Sequence, residues 1–276
     1  MQHLYKTISL ICVSSVLVAC SYVKQDHTVD WSAQQLYQAG QDELNNYGYQ
    51  DAIDYYTKLL GRYPTGQLAQ QSQLNLAYAY YREGENEKAL AEINNFIKAF
   101  PQHPYVDYAY YMRGVIAYEK DISIYDRLNP ANLAQTDIQS LKAAFDYFEQ
   151  LVTHFPKSEY SEDARYRMLY LKNLMAQHEL EIASYYMRRG AYVAAINRAQ
   201  NILERYVNTP STPYALALIT RAYSELGQMQ LAQNHRQVLE LNFANKLNDP
   251  EIRQFLSGDI TKKRNLWSIL NSKPKI

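Results

Sequence analysis

Five stretches of the chain can be laid over one another without a gap: DAIDYYTKLLGRYP (51–64), KALAEINNFIKAFP (88–101), AAFDYFEQLVTHFP (143–156), AAINRAQNILERYV (194–207) and LAQNHRQVLELNFA (231–244). Alanine stands second in each: Ala52, Ala89, Ala144, Ala195 and Ala232. Seven positions later comes a large apolar residue (Leu59, Phe96, Leu151, Ile202, Leu239), and eleven later an aromatic (Tyr63, Phe100, Phe155, Tyr206, Phe243). These offsets lie close to two and three helical turns, so the residues share one helical stripe. In the first three stretches a proline follows the aromatic (Pro64, Pro101, Pro156) and stops the helix. A chain that repeats itself in this way folds as stacked supersecondary units.

A second pattern lies upstream of three of the alanines. AYYREGENEKA (79–89), YYMRRGAYVAA (185–195) and AYSELGQMQLA (222–232) put Gly84, Gly190 and Gly227 five positions before the alanine, with Tyr80, Tyr186 and Tyr223 four before each glycine. The pattern reads as helix, glycine stop, short turn and second helix, with the small alanine letting the two helices approach closely. The alanines are 37, 55, 51 and 37 residues apart. That spacing is the tetratricopeptide (TPR) length plus loop residues, and the alanine, aromatic, proline order is the TPR order. The fold class is therefore all-α, a solenoid of five TPR helix–turn–helix repeats. Repeats 1–3 occupy 32–156, repeats 4–5 occupy 157–244, and 245–276 extend beyond them. Of the two long spacings, the first places its excess in KDISIYDRLNPANLAQTDI (120–138), a loop between the helices of repeat three. The second falls in ARYRMLYLKNLMAQHELEIASYYMRR (164–189), which has no glycine or proline and keeps Ala164, Met168, Leu171, Leu174 and Ile182 at helical spacing. It predicts one long first helix of repeat four, a spine between the two halves of the array.

The N-terminus is of another kind. Lys6 and the amino group give residues 1–7 positive charge, and residues 8–19 (ISLICVSSVLVA) are apolar with three serines. Twelve helical residues reach about 18 Å, short of the roughly 30 Å bilayer core, so residues 1–19 read as a secretory signal. LVA before Cys20 resembles the bacterial lipobox. That resemblance implies cleavage before Cys20 and acylation of its thiol and amine, the multiple chains that stable anchoring needs. Ser21, in place of aspartate, implies sorting to the outer membrane. Cys12 would leave with the signal, so no disulfide is expected and packing holds the fold. Residues 20–31 read as a lipidated polar tether.

Lys plus Arg and Asp plus Glu are each 28, which argues against nucleic acid as a partner. Isolated glycines exclude the Gly-rich phosphate cradles. His27, His103, His154, His178 and His235 show no metal-ligand spacing, and no GxSxG elbow occurs. His178 and Glu179 are adjacent on the long helix, point apart, and read as a solvated pair. No cofactor or catalytic residue is assigned, and the chain reads as a non-enzyme. Its resource is surface: 27 tyrosines against 7 Phe and 2 Trp suit shallow grooves that stay partly wet. The first helices of TPR repeats line an inner groove. By repeat position the candidates there are Tyr37 and Gln41, then Leu74, Tyr78, Tyr81 and Arg82, then Tyr110 and Arg113, the two arginines able to hold a carboxylate.

RYPTGQLAQQSQLNLAYAYY (62–81), HPYVDYAYYMRG (103–114) and ASYYMRRGAYVAAINR (183–198), behind a lipobox, make the chain similar to the BamD family of lipoproteins of the β-barrel assembly machinery. The resemblance runs from the signal to about residue 240. It implies a scaffold on the periplasmic face of the outer membrane. N-terminal repeats would engage client barrel segments ending in an aromatic carboxylate. C-terminal repeats would dock a POTRA domain of BamA, with Arg198 on the partner-facing region, and accessory Bam lipoproteins would join the complex. Three departures stand out. Tyr206-Val207 lacks the proline, predicting a softer stop; the insertion has Thr136-Asp137 where the family has a second Arg-Asp; and the extension carries Lys262-Lys263-Arg264 beside Trp267 and Leu270. The sequence leaves that extension open as a cap, a contact for an accessory lipoprotein, a contact for anionic head groups, or a solvated tail. The competing reading of the whole chain is a TPR lipoprotein adaptor of the peptidoglycan or cell-division machinery.

Overall fold

The computed structural model describes residues 26–120 and 138–258. Within them the chain is helical throughout: α1 (Ala33–Asn45), α2 (Tyr49–Arg62), α3 (Gln67–Glu83), α4 (Asn86–Ala99), α5 (Val106–Glu119), α6 (Ile138–His154), α7 (Ser161–Arg188), α8 (Tyr192–Arg205), α9 (Thr212–Glu225), α10 (Met229–Asn242), a 3₁₀ turn (Ala244–Lys246) and α11 (Pro250–Ser257). Helices pack in sequential pairs, α1 on α2 through α9 on α10, and each pair packs on the next, giving a TPR solenoid of helical hairpins. The insertion beyond Lys120, like Cys20 and the segment before Asp26, lies outside the described residues. None of the described helices is long and apolar enough to cross a membrane.

The turns repeat as closely as the sequence. Gly84, Gly190 and Gly227 adopt φ of 84°, 72° and 72°. The residue after each donates its N–H back to the tyrosine five positions earlier: Glu85 to Tyr80 (2.9 Å), Ala191 to Tyr186 (3.0 Å) and Gln228 to Tyr223 (2.9 Å). This is the Schellman stop, which consumes the carbonyls a helix end leaves orphaned. Hairpin one has Tyr47 at the glycine position, held at φ 63°. The second helices all end on the repeat aromatic, whose N–H still bonds four residues back: Tyr63 to Leu59, Phe100 to Phe96, Phe155 to Leu151, Tyr206 to Ile202 and Phe243 to Leu239. A following proline pushes the aromatic out of helical geometry. Tyr206, without that proline, leaves the helix in the same register, and Asn208 turns the chain at φ 64°. The expected softer stop is thus as sharp as the others.

Hairpins close on small residues. Ala52, Ala89, Ala144 and Ala195 are fully buried. Twelve positions before the alanine, or thirty in the hairpin with the insertion, stand Gly40, Ala77, Gly114, Ala183 and Thr220, all buried. A methyl group on Gly40 would lie 2.7 Å from the Tyr56 ring, and on Gly114 2.5 Å from the Phe148 ring. Helix α7 runs 28 residues, as the missing Gly and Pro predict, and packs on α6, α8 and α9. At the end of the array α11 covers α9 with Ile252 and Phe255, both buried. The start of the extension is therefore a cap, of the kind a solenoid's terminal repeat requires; residues 259–276 lie outside the described residues.

The tether is shorter than its sequence suggests. Residues 26–31 lie on α2: Arg62 reaches the carbonyl of Thr28 and the carboxylate of Asp26 (2.6 Å), Lys58 also pairs with Asp26 (3.2 Å), and Thr28 is fully buried. Trp31 stacks on Tyr55 at 5.9 Å.

Two helical glycines should respond oppositely to alanine. Gly114→Ala drives a methyl into Phe148 and should destabilise by about 1–3 kcal/mol, the usual cost of overpacking. Gly61, with nothing within 4 Å of an added Cβ, should gain up to about 1 kcal/mol from the same change. Urea titration of both variants measures the sign.

Candidate functional site

First helices of neighbouring hairpins touch: α1 with α3, α3 with α5 and α7 with α9. They form one layer, and tyrosine is concentrated on it. On α3, Tyr78 and Tyr81 lie with ring centroids 6.4 Å apart. Arg82 is exposed, donates to the Tyr78 hydroxyl (2.6 Å) and lies 4.8 Å from the centre of the Tyr49 ring. The Tyr78 bond raises the Arg82 pKa, so the group is a permanent cation among tyrosine rings. On α5, Tyr108 and Tyr111 both pack against Tyr160, at 5.4 and 5.1 Å. Tyr111 donates to Asp163 (2.7 Å), and Arg167 bonds the same carboxylate. Burial pushes the Tyr108 phenol well above its ordinary pKa, and burial with the Asp163 bond does the same for Tyr111. Both phenols stay neutral; the single O–H of Tyr111 is taken by Asp163.

The residues expected to face this groove separate into two groups. Tyr78, Tyr81 and Arg82 lie together on the layer. Tyr37 is partly buried and packs beside Tyr56 at 6.2 Å. Gln41 is engaged by the Tyr56 hydroxyl (3.0 Å) and by Asn75 (2.9 Å). Leu74 is 6 % exposed and sits in a core with Ala77, Ile93 and Met112. Tyr110 turns toward α6, stacked on His154 (5.8 Å) and against Phe155 (5.4 Å). Arg113 is 8 % exposed, sandwiched between the Tyr110 and Tyr147 rings, and bonds Gln150 (2.7 Å) and Asn94 (3.3 Å). Burial lowers its pKa. Leu74 and Arg113 are thus inside the hairpins, where packing rather than ligand contact places them. In the repeat register Arg113 falls where hairpin two has Leu76 and hairpin five has Ile219, both buried. Tyr108, Tyr111, Tyr160, Asp163 and Arg167 were not singled out from sequence, although Tyr111 falls in the register of Tyr37 and Leu74.

At the other expected contact, Arg198 on α8 is exposed and bonds Glu179 on α7 at 3.3 Å. Glu179 is 4 % exposed, so it is not the solvated neighbour of His178 expected from sequence but one side of a bridge to Arg198 across the fourth hairpin. Arg198 also lines a cleft of about 500 Å³ with Tyr186, Asn197, Asn201 and Glu204. Among the described residues no cluster of three His, Cys, Asp or Glu is placed to hold a metal ion.

A helical solenoid with this surface can be compared with known proteins. Residues 29–239 match the model of the YfiO family, described as outer membrane lipoprotein. The chain belongs to that family. It is 42% identical over 245 residues to the outer membrane protein assembly factor BamD of Neisseria meningitidis, covering 88% of this chain and 92% of that one. Against the BamD of Vibrio cholerae identity is 35% over 238 residues, 86% and 98% of the two chains. Among solved structures, the TPR2AB domain of yeast Sti1 in complex with pHSP90 is similar at a TM-score of 0.43 and 16% identity, over 83% of each chain. The family places the chain with the outer membrane protein assembly factors, whose role is not enzymatic.

Arg113 and Arg198 differ in what their loss should do. Arg113→Ala should cost about 2–4 kcal/mol as a buried bonded cation, whereas Arg113→Leu, fitting the apolar register, should fold nearly as well as the parent. Arg198→Ala strands the Glu179 carboxylate and, discounted for its exposure, should cost about 1–2 kcal/mol, relieved when Glu179→Gln is added. Denaturant-derived stabilities of the four variants test both statements.

Proposed function

We propose that this family member is anchored to the periplasmic face of the outer membrane through acylated Cys20, and that it brings unfolded barrel proteins to a BamA-type partner. Hairpins one to three (32–156) bind the client's targeting segment; hairpins four and five (157–244) dock a POTRA domain, with Arg198 at that contact; accessory Bam lipoproteins complete the complex. The name carried by relatives at 42% and 35% identity supports the assembly role and sets aside the peptidoglycan adaptor. The observation that supports client binding is Arg82, an exposed cation bonded to a phenol and flanked by Tyr49, Tyr78 and Tyr81. A terminal carboxylate can take the guanidinium while a terminal aromatic side chain packs on the rings. Tyr108 and Tyr111 continue the same face toward α7.

Fluorescent decapeptides ending in a free phenylalanine carboxylate should bind, and amidating that carboxylate should weaken them about tenfold, the loss of one charge-assisted bond of roughly 1.5 kcal/mol. Arg82→Ala should produce the same loss and abolish the difference between acid and amide. Equal binding of both peptides to the parent protein would refute the carboxylate site.

A further inference from the structure

The segment leading to the anchor does not hang free up to the first helix. Asp26 takes two cations, Arg62 at 2.6 Å and Lys58 at 3.2 Å, and also accepts from the Thr28 backbone (3.0 Å) and hydroxyl (2.7 Å). Arg62 adds bonds to the carbonyl and hydroxyl of Thr28, whose side chain is fully buried. Downstream, the Tyr63 hydroxyl holds the Trp31 carbonyl (2.9 Å), and the Trp31 ring stacks on Tyr55 with the planes 6° apart. His27 meets the edge of the same indole at 5.5 Å. Four groups on α2 and its cap, Tyr55, Lys58, Arg62 and Tyr63, thus grip residues 26–31 at both ends.

We infer that residues 26–31 form a docked strap that holds the first hairpin, through the C-terminal end of α2, against the lipid surface. The inference rests on Cys20 being the anchored residue. Five residues (21–25) separate Cys20 from Asp26, and six Cα steps reach about 20 Å at full extension, whereas release of the strap back to Ser32 would give about 40 Å. With the strap docked, the C-terminal end of α2 stays within one short reach of the head groups, and the hairpins that follow extend from that fixed point. The grip is polar and partly exposed, with side-chain exposures of 24–33 % for Lys58, Arg62 and Asp26. Its strength is therefore set by several cooperating contacts more than by any single ion pair.

The test uses the full lipidated protein in phosphatidylethanolamine–phosphatidylglycerol vesicles carrying an acceptor-labelled lipid. The donor is attached at Gly61→Cys, an open helical position beside Arg62. Alkyne-palmitate labelling first reports acylation of Cys20. Asp26→Ala/Trp31→Ala alters the strap and leaves α2 intact; Arg62→Ala reaches the same latch from the helix, and melting curves confirm that both fold. Transfer to lipid should be high in the parent, fall about twofold in Asp26→Ala/Trp31→Ala, where both ends of the grip open and the reach doubles, and fall less in Arg62→Ala, which leaves the Trp31 contacts in place. Unchanged transfer in fully acylated variants would overturn the strap and leave the anchor standing. Absence of the acyl label would overturn the anchor, and with it the strap's role at the membrane.

Discussion

The closeness of the two helices in each hairpin governs the rest of the structure. At the crossing of α1 with α2, Gly40 has no room for a methyl beside Tyr56, and at α5 with α6 Gly114 has none beside Phe148. On the opposite helix the repeat alanines Ala52 and Ala144 are fully buried. Two small residues per hairpin bring the backbones near one another, in hairpins one and three with one ring, Tyr56 or Phe148, filling the crossing, and that fixes how one helix is rotated against its partner. Rotation in turn decides which stripe of each first helix points away from its partner. Because the hairpins repeat the crossing, the free stripes align, and the tyrosines of α3 and α5 meet those at the start of α7.

Most of the architecture was legible because it is periodic. The alanines, the terminal aromatics and the glycine stops located ten of the helices, the long α7 among them. The same periodicity, carried one step further, explains what was misplaced. Arg113 was assigned to the groove although its register positions are Leu76 and Ile219; the insertion separates it from the next repeat alanine and hides the correspondence. Glu179 and Arg198 occupy the register of Gln73 and Glu92 in hairpin two, which also bond across their hairpin, at 3.3 Å. A carboxylate beside a histidine in a helix looks solvated in the local sequence, and the partner that changes the reading stands on the other helix. The strap was illegible for a different reason. Its residues, DHTVDW, are mostly polar and follow no period, and their docking depends on Lys58 and Arg62, more than thirty residues from Asp26 along the chain.

Tyrosine suits this construction better than phenylalanine would. A solenoid has no deep centre, so most rings lie with one edge packed and the other near solvent, and a hydroxyl at that edge needs a partner. The structure supplies them in sequence: Tyr56 to Gln41, Tyr78 from Arg82, Tyr111 to Asp163, Tyr214 to Asp249. Apart from the Tyr78–Arg82 bond, which lies within α3, each ties one helix to another without requiring a larger core. It also leaves an interior layer carrying apolar area and directed donors together, the combination an extended peptide needs if both its side chains and its terminal charge are to be held.

The two ends of the array are closed by different physics, and the difference bears on function. At the C-terminal end α11 buries Ile252 and Phe255 on α9, with Asp249 capping the helix and Tyr214 holding Asp249. Apolar burial of this kind is insensitive to salt and gives a permanent lid. At the N-terminal end the strap is held mainly by Asp26, Arg62, Lys58 and a hydrogen-bonded threonine, with one stacked indole. The hydrogen bonds from the Thr28 hydroxyl and backbone N–H, with Lys58 adding less, keep the Asp26 carboxyl well below its ordinary range. A carboxylate depressed in the folded state contributes stability at neutral pH that is lost as pH falls through its folded pKa, so acid loosens this end of the array and neutral pH does not. The N-terminal end of the array is therefore held largely by charge and the C-terminal end by apolar packing, so the tyrosine layer lies between two ends that respond differently to salt and to acid.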